Sequence, residues 1–245
     1  MIDKLTDDLT AVLAPVTDGA TVLIGGFGTA GVPSQLIEGL MLHGARELTV
    51  VSNNAGSGEA GLAALLKAGR VRKMICSFPR QADSWVFDRL YRSGQVELEL
   101  VPQGTLAERL RAAGAGIGAF FSPTGYGTEL AKGKENRVIG GRPHVLEMPI
   151  FGDVALIRAE RGDRWGNLVY RKAARNFGPV MATAARLTIA TVHEVVPLGA
   201  LDPEAIVTPG IYVDHVVPVA RVATEAGGFK RALAPSLLSS PGETA

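Results

Sequence analysis

Four short apolar runs punctuate the first half of the chain: Thr21-Val22-Leu23-Ile24, Leu48-Thr49-Val50-Val51, Val71 to Ile75 and Val96 to Val101. Stretches with helical spacing separate them, at Gly61 to Lys67, Asp83 to Tyr91 and Leu106 to Ala113. A further helix opens at Pro33-Ser34 and ends near Gly44. Proline suits a first helical turn because its missing N–H would have no partner there. Strands that read as unbroken apolar runs are buried on two faces, so the pattern predicts an α/β fold: an open, mostly parallel sheet with helices on both faces. The segment Lys4 to Leu13 places Leu5, Leu9, Val12 and Leu13 on one helical face.

The second half has more hairpin character, and some antiparallel strands are expected there. Val145 to Pro149 and Val154 to Ala159 read as strands joined by Phe151-Gly152-Asp153. A helical stretch around Ala173 to Ala185 follows, then strands at Leu187 to Val192 and Tyr212 to Val217. No linker or internal repeat interrupts the chain, so residues 1–222 are expected to form one domain. Residues 223–245 lose periodicity and gain Gly, Ser and Pro, the composition of a loose tail.

Composition excludes some functions. With a net charge of +1 over 245 residues and scattered basic residues, there is no electrostatic case for nucleic acid or an anionic membrane. The densest basic spots, Arg70-Val71-Arg72-Lys73 and Arg171-Lys172, are short and read as solvated faces. No apolar run reaches the ~18–20 residues of a membrane span. The start, Met1-Ile2-Asp3-Lys4, is too polar for a signal peptide. One cysteine, Cys76, leaves no internal disulfide, and the expected location is cytoplasmic.

Gly26-Phe27-Gly28-Thr29-Ala30-Gly31 matches the dinucleotide fingerprint and lies between a strand and a helix. A nicotinamide site also wants an acidic residue closing the second strand, whereas that strand ends in Ser52-Asn53-Asn54. The glycines therefore point to a ligand, or to a tight turn, without naming one. Ligands collect at the C-terminal ends of parallel strands. Gathered there are the glycine loop, Asn53-Asn54-Ala55-Gly56, Ser77-Phe78-Pro79-Arg80 and Pro102-Gln103-Gly104. The histidines (His43, His144, His193, His215) show no metal-ligand spacing, and no metal is expected. Cys76 ends an apolar strand and reads as buried and inert. A polar cradle with no evident nucleophile fits either a binding protein or half of a composite active site.

Several motifs in order then resemble one family. They are Gly25-Gly26-Phe27-Gly28 with Pro33, Ser52 to Gly56, Glu97 to Arg109, Gly114-Ala115-Gly116, Pro123 to Thr128, Asp163 to Leu168 and Ala174-Arg175-Asn176-Phe177. Together they are similar to the A (alpha) subunits of the family I CoA transferases that act on 3-oxoacids. Cys76-Ser77-Phe78-Pro79-Arg80 leans toward members acting on 3-oxoadipate. The resemblance implies CoA as substrate with no separate cofactor, and a ping-pong reaction through a glutamyl-CoA thioester. It also implies a partner B (beta) subunit that carries the nucleophilic glutamate in a Ser-Glu-Asn-Gly-like motif, with two chains of each kind in the complex. This chain has only Lys134-Glu135-Asn136, which belongs to the alpha-type pattern. By the same resemblance Gly25, Gly26, Phe27, Gly28, Thr29, Ala30 and Gly31 lie against CoA, Gln103 stabilises the oxyanion, and Asn53 and Asn54 bind the oxoacid. Arg80 is a candidate for pairing the distal carboxylate of a dicarboxylate acceptor. A ligand-sensing domain of the same fold is the alternative, although the chain has no helix-turn-helix region.

Overall fold

Parallel pairing of the apolar runs organises residues 2–221, the part that the computed structural model describes. In chain order the first half contains α1 (Leu9–Leu13), β1 (Thr21–Ile24), α2 (Ser34–His43), β2 (Leu48–Val51), α3 (Leu62–Lys67), β3 (Val71–Cys76), α4 (Trp85–Arg92), β4 (Glu97–Leu100) and α5 (Gln103–Gly114). The second half contains β5 (Phe120–Ser122), β6 (Asn136–Ile139), β7 (Arg142–Glu147), β8 (Gly152–Gly162), β9 (Leu168–Val169), α6 (Gly178–Ala184), β10 (Ala185–Val195) and β11 (His215–Pro218). The main sheet runs β11-β10-β8-β1-β2-β3-β4, parallel throughout, with β9 added antiparallel to the end of β8. A separate antiparallel sheet has the order β5-β7-β6.

Alternation along each central strand divides the core into two layers. Val22, Ile24, Leu48, Val50, Met74 and Leu156 face helices α1 to α4. Leu23, Val51, Ile75, Ala155, Ile157 and Ala190 face α5 and α6. Because both faces are covered, β2 is buried at every position, and this is why it reads as a continuous apolar run. The expected fold class is the observed one. No helix among the described residues is long and apolar enough to cross a membrane.

Three local expectations change. The helix predicted from Lys4 begins only at Leu9, because Asp8 caps it by accepting from the Ala11 N–H (2.9 Å). Upstream, Lys4 and Thr6 spend their backbone on Arg164 and Val216, and Leu5 bridges Val216 in parallel. The predicted hairpin across Phe151 to Asp153 is not one. β7 belongs to the small sheet, while β8 enters the centre of the large sheet between β1 and β10. Finally, Gly210–Tyr212 forms a 3-10 turn, and the last strand starts at His215. Tyr212 and Val213 donate their N–H groups to the Pro209 and Gly210 carbonyls at 3.1 and 3.0 Å, which closes the turn there. The expected tail, residues 223–245, lies outside the described residues.

Candidate active site

Strands β1, β2, β3 and β4 are successive neighbours, so the loops leaving their C-terminal ends lie side by side. The ladder continues one step past β2 and β3: Ser77 and Phe78 donate their N–H groups to the Asn53 carbonyl at 3.2 and 3.0 Å. That brings Asn53, only 4% exposed, to the middle of the cradle. Its side-chain Oδ1 accepts from Gln103 Nε2 at 2.7 Å and from Ser77 Oγ at 2.8 Å. Gln103 is the first residue of α5, which starts one turn earlier than its apolar pattern suggests. The residue is exposed. One amide N–H is held by Asn53, while the second N–H is directed to no described residue. A neutral donor fixed by a buried partner is suited to receive an oxygen that gains negative charge.

Asn54 is also buried, but its Oδ1 accepts from the Gly56 N–H at 2.8 Å and closes a turn. Arg80 lies at the rim. Its Nε donates to Asp88 Oδ1 at 2.5 Å, and its side chain is 54% exposed. Several carboxylates on the same strands and loops are likewise engaged. Glu99 binds Lys73 at 2.6 Å and Arg109 at 2.7 Å, and Glu59 binds Lys67 at 2.7 Å. Burial alone would raise the Glu99 carboxyl, but its two cationic partners outweigh it and hold the group below its ordinary value. Cys76 is fully buried, and burial pushes its thiol up to about 12. Among the described residues no cluster of His, Cys, Asp and Glu is arranged to hold a metal.

The glycine loop is a folded turn rather than an open nest of amides. Gly25 donates to Leu156 O (3.0 Å), and Gly26 donates to Asn176 Oδ1 (3.0 Å). Phe27 and Ala30 exchange backbone bonds at 2.9 and 3.0 Å. Four N–H groups are thus committed internally, which leaves the exposed tip Phe27-Gly28-Thr29 as the part open to a ligand. Asn176 holds the loop from outside: besides accepting from Gly26, it donates to Ala30 O at 3.0 Å and Ala173 O at 2.7 Å. Gly31, at φ 74, lies against this segment so closely that a Cβ there would come within 2.5 Å of Ala174 O.

A model of the coenzyme A transferase family matches residues 6–218. The alpha-type chain of the 3-oxoadipate CoA-transferase of Pseudomonas putida is 66% identical over 223 residues, 91% of this chain and 96% of that protein. This chain belongs to the coenzyme A transferase family. A second relative, the corresponding chain of a probable succinyl-CoA:3-ketoacid coenzyme A transferase of Bacillus subtilis, is 52% identical over 82% of this chain and 84% of its own length. The glutaconate coenzyme A-transferase of Acidaminococcus fermentans shares the fold, with a TM-score of 0.76 at 22% identity, covering 89% of this chain and 76% of that one.

Within this transferase fold, the structure brings together Asn53, Ser77 and Gln103, and sets the glycine loop on a neighbouring strand end. Arg80 stays outside that hydrogen-bonded group. Ser77 and Asn176 had no assigned role in the sequence. Ser77 stood in the right loop, and only its bond to Asn53 reveals its part. Asn176 acts on residues 146 and 150 positions away, a distance over which no local pattern operates.

Proposed function

We propose that this chain is the alpha subunit of a two-chain transferase that moves CoA from succinyl-CoA to a 3-oxoacid, with 3-oxoadipate as the preferred acceptor. A partner beta subunit supplies the nucleophilic glutamate, in an assembly of two alpha and two beta chains. The observation that carries the reading is the Asn53–Gln103 pair. It presents an oriented amide donor at the strand ends. The ligand-sensing alternative gives no reason for such an oriented donor.

The chemistry follows from that donor. The partner's glutamate attacks the thioester carbonyl of succinyl-CoA, and the carbonyl oxygen becomes an oxyanion that the free N–H of Gln103 can bind. Collapse expels CoA thiolate and leaves an acyl–glutamyl anhydride. The thiolate then attacks the glutamyl carbonyl, releases succinate and forms a glutamyl-CoA thioester. The acceptor carboxylate attacks next, and the sequence runs in reverse to give the 3-oxoacyl-CoA. Each attack builds negative charge on one oxygen, so a single donor serves every step. One such donor is typically worth ~3 kcal/mol, because it acts on charge present only near the transition state. A neutral amide also has no acidic proton to quench the thiolate. CoA enters as substrate, and the exposed glycine-loop tip supplies its contact on this chain. Asn53 and Asn54 line the acceptor side, and Arg80, whose Nε is held by Asp88, can select a dicarboxylate with its terminal nitrogens. The reduced, buried Cys76 suits a cytoplasmic setting.

Succinyl-CoA:3-oxoacid transfer, followed by enolate-thioester absorbance, tests the reading with 3-oxoadipate and acetoacetate as acceptors. Turnover is expected from the complex with its partner and absent from this chain alone, with 3-oxoadipate preferred. An Arg80→Ala complex that loses activity equally toward both acids would remove Arg80 from acceptor selection. No turnover from the complex with any 3-oxoacid would overturn the proposal.

A further inference from the structure

Arg171, Lys172 and Arg175 sit on the short segment that braces the glycine loop. Each is exposed, and none makes an ion pair or side-chain hydrogen bond among the described residues. Elsewhere on the surface many cations are matched, as in Lys67–Glu59, Arg72–Glu97 and Lys132–Glu129. Three unmatched cations within five positions repel one another in the free protein and create a local positive field.

The segment is also held in an unfavourable shape. Lys172 has φ 50, one of two non-glycine residues in the left-handed region among the described residues. Such conformations persist only where surrounding contacts impose them. Here the imposing contacts are those of Asn176 to Gly26 and Ala30, together with the close approach of Gly31 to Ala174. The packing therefore holds the backbone that carries the three cations against the glycine loop.

We propose that Arg171, Lys172 and Arg175 form a phosphate-binding rim, which holds the phosphates of the CoA moiety while its thioester end reaches Gln103. Guanidinium and ammonium groups bind phosphate oxygens through charge-assisted hydrogen bonds, and an exposed rim suits the end of the ligand that stays in water. The inference rests on the transferase reading above, and it turns the Arg171-Lys172 run from a solvated face into a ligand contact.

The test is calorimetric titration of the complex with CoA and with dephospho-CoA, at low and moderate salt. The complexes compared are wild type, Arg171→Ala/Lys172→Ala/Arg175→Ala and the milder Arg171→Gln/Arg175→Gln. The triple variant should bind CoA about 10-fold or more weakly and with a shallower salt dependence, and the double variant should fall between. The KM for succinyl-CoA should rise in step, with kcat at saturation within about twofold of wild type. A smaller loss with dephospho-CoA than with CoA would place the 3′-phosphate on the rim, and equal losses would place the pyrophosphate there. Unchanged CoA affinity in assembled variant complexes would overturn the rim while leaving the transferase reading intact. So would variants that fail to assemble at wild-type concentration yet bind CoA normally once assembled, because the cations would then face the partner chain. A wild-type complex that binds no CoA would overturn both.

Discussion

Replacing Gly31 by alanine probes the join between the glycine loop and the segment that braces it. The new Cβ would lie 2.5 Å from Ala174 O, 2.8 Å from Asn176 Nδ2 and 3.2 Å from Ala174 C, in a backbone at φ 74. The left-handed conformation costs an alanine ~1–2 kcal/mol. Forcing an atom into a packed site typically costs a further ~1–3 kcal/mol, and here the nearest neighbour is backbone that cannot rotate away. The sum is about 3 kcal/mol, which for a chain of this size lowers Tm by about 6–12 °C. Gly28→Ala is the control: it has φ 57, but a Cβ there meets nothing within 4 Å, so only the conformational cost applies. Thermal and urea unfolding of the two variants, followed by circular dichroism, reads the difference directly. Gly31→Ala destabilised no more than Gly28→Ala would show that the close packing at Gly31 carries no cost.

Gln103→Ala should lower kcat by about 10²–10³-fold with little change in KM for succinyl-CoA and in Tm, since the residue is exposed; an equal loss through KM alone would assign it to substrate binding. Glu99 has its folded pKa held down by Lys73 and Arg109, so its contribution to stability is fully present above the ordinary carboxylate range and is lost as pH falls through the lowered value. Glu99→Gln should accordingly flatten the acid limb of a stability–pH curve, and an unchanged limb would show that the ion pairs contribute nothing. Cys76, with its thiol pushed up to about 12 by burial, should resist a thiol reagent at about pH 8 in the native chain and react fully after denaturation. Rapid labelling of native protein would contradict its burial.

How far the sequence could be read depended on the range of the forces involved. Leu48 to Val51 announced β2 because burial on two faces leaves an unbroken apolar run. By contrast, every residue of β6, Asn136 to Ile139, is exposed, so no periodicity marked that strand, whereas its neighbour β7 was partly visible through Val145 to Glu147. The stretch from Lys4 to Thr6 has helical spacing, yet its backbone pairs with Val216 and Arg164, partners that local propensity cannot see. The candidate site shows the same division. Asn53 and Gln103 were visible as strand-end polar residues, while the 2.7 Å bond that makes them one unit joins positions 50 apart. The glycine loop was legible as a turn between a strand and a helix. Its commitment of four amides internally, and its dependence on Asn176, belong to tertiary contacts alone.

The central claim is that this chain orients the reacting oxygen while its partner carries the nucleophile. Intact-mass analysis of the complex after incubation with succinyl-CoA in the absence of acceptor tests it most directly. The account predicts a CoA adduct on a glutamate of the partner chain, none on this chain, and loss of the adduct when 3-oxoadipate is added. A CoA or succinyl adduct on a carboxylate of this chain that is consumed by the acceptor would contradict it.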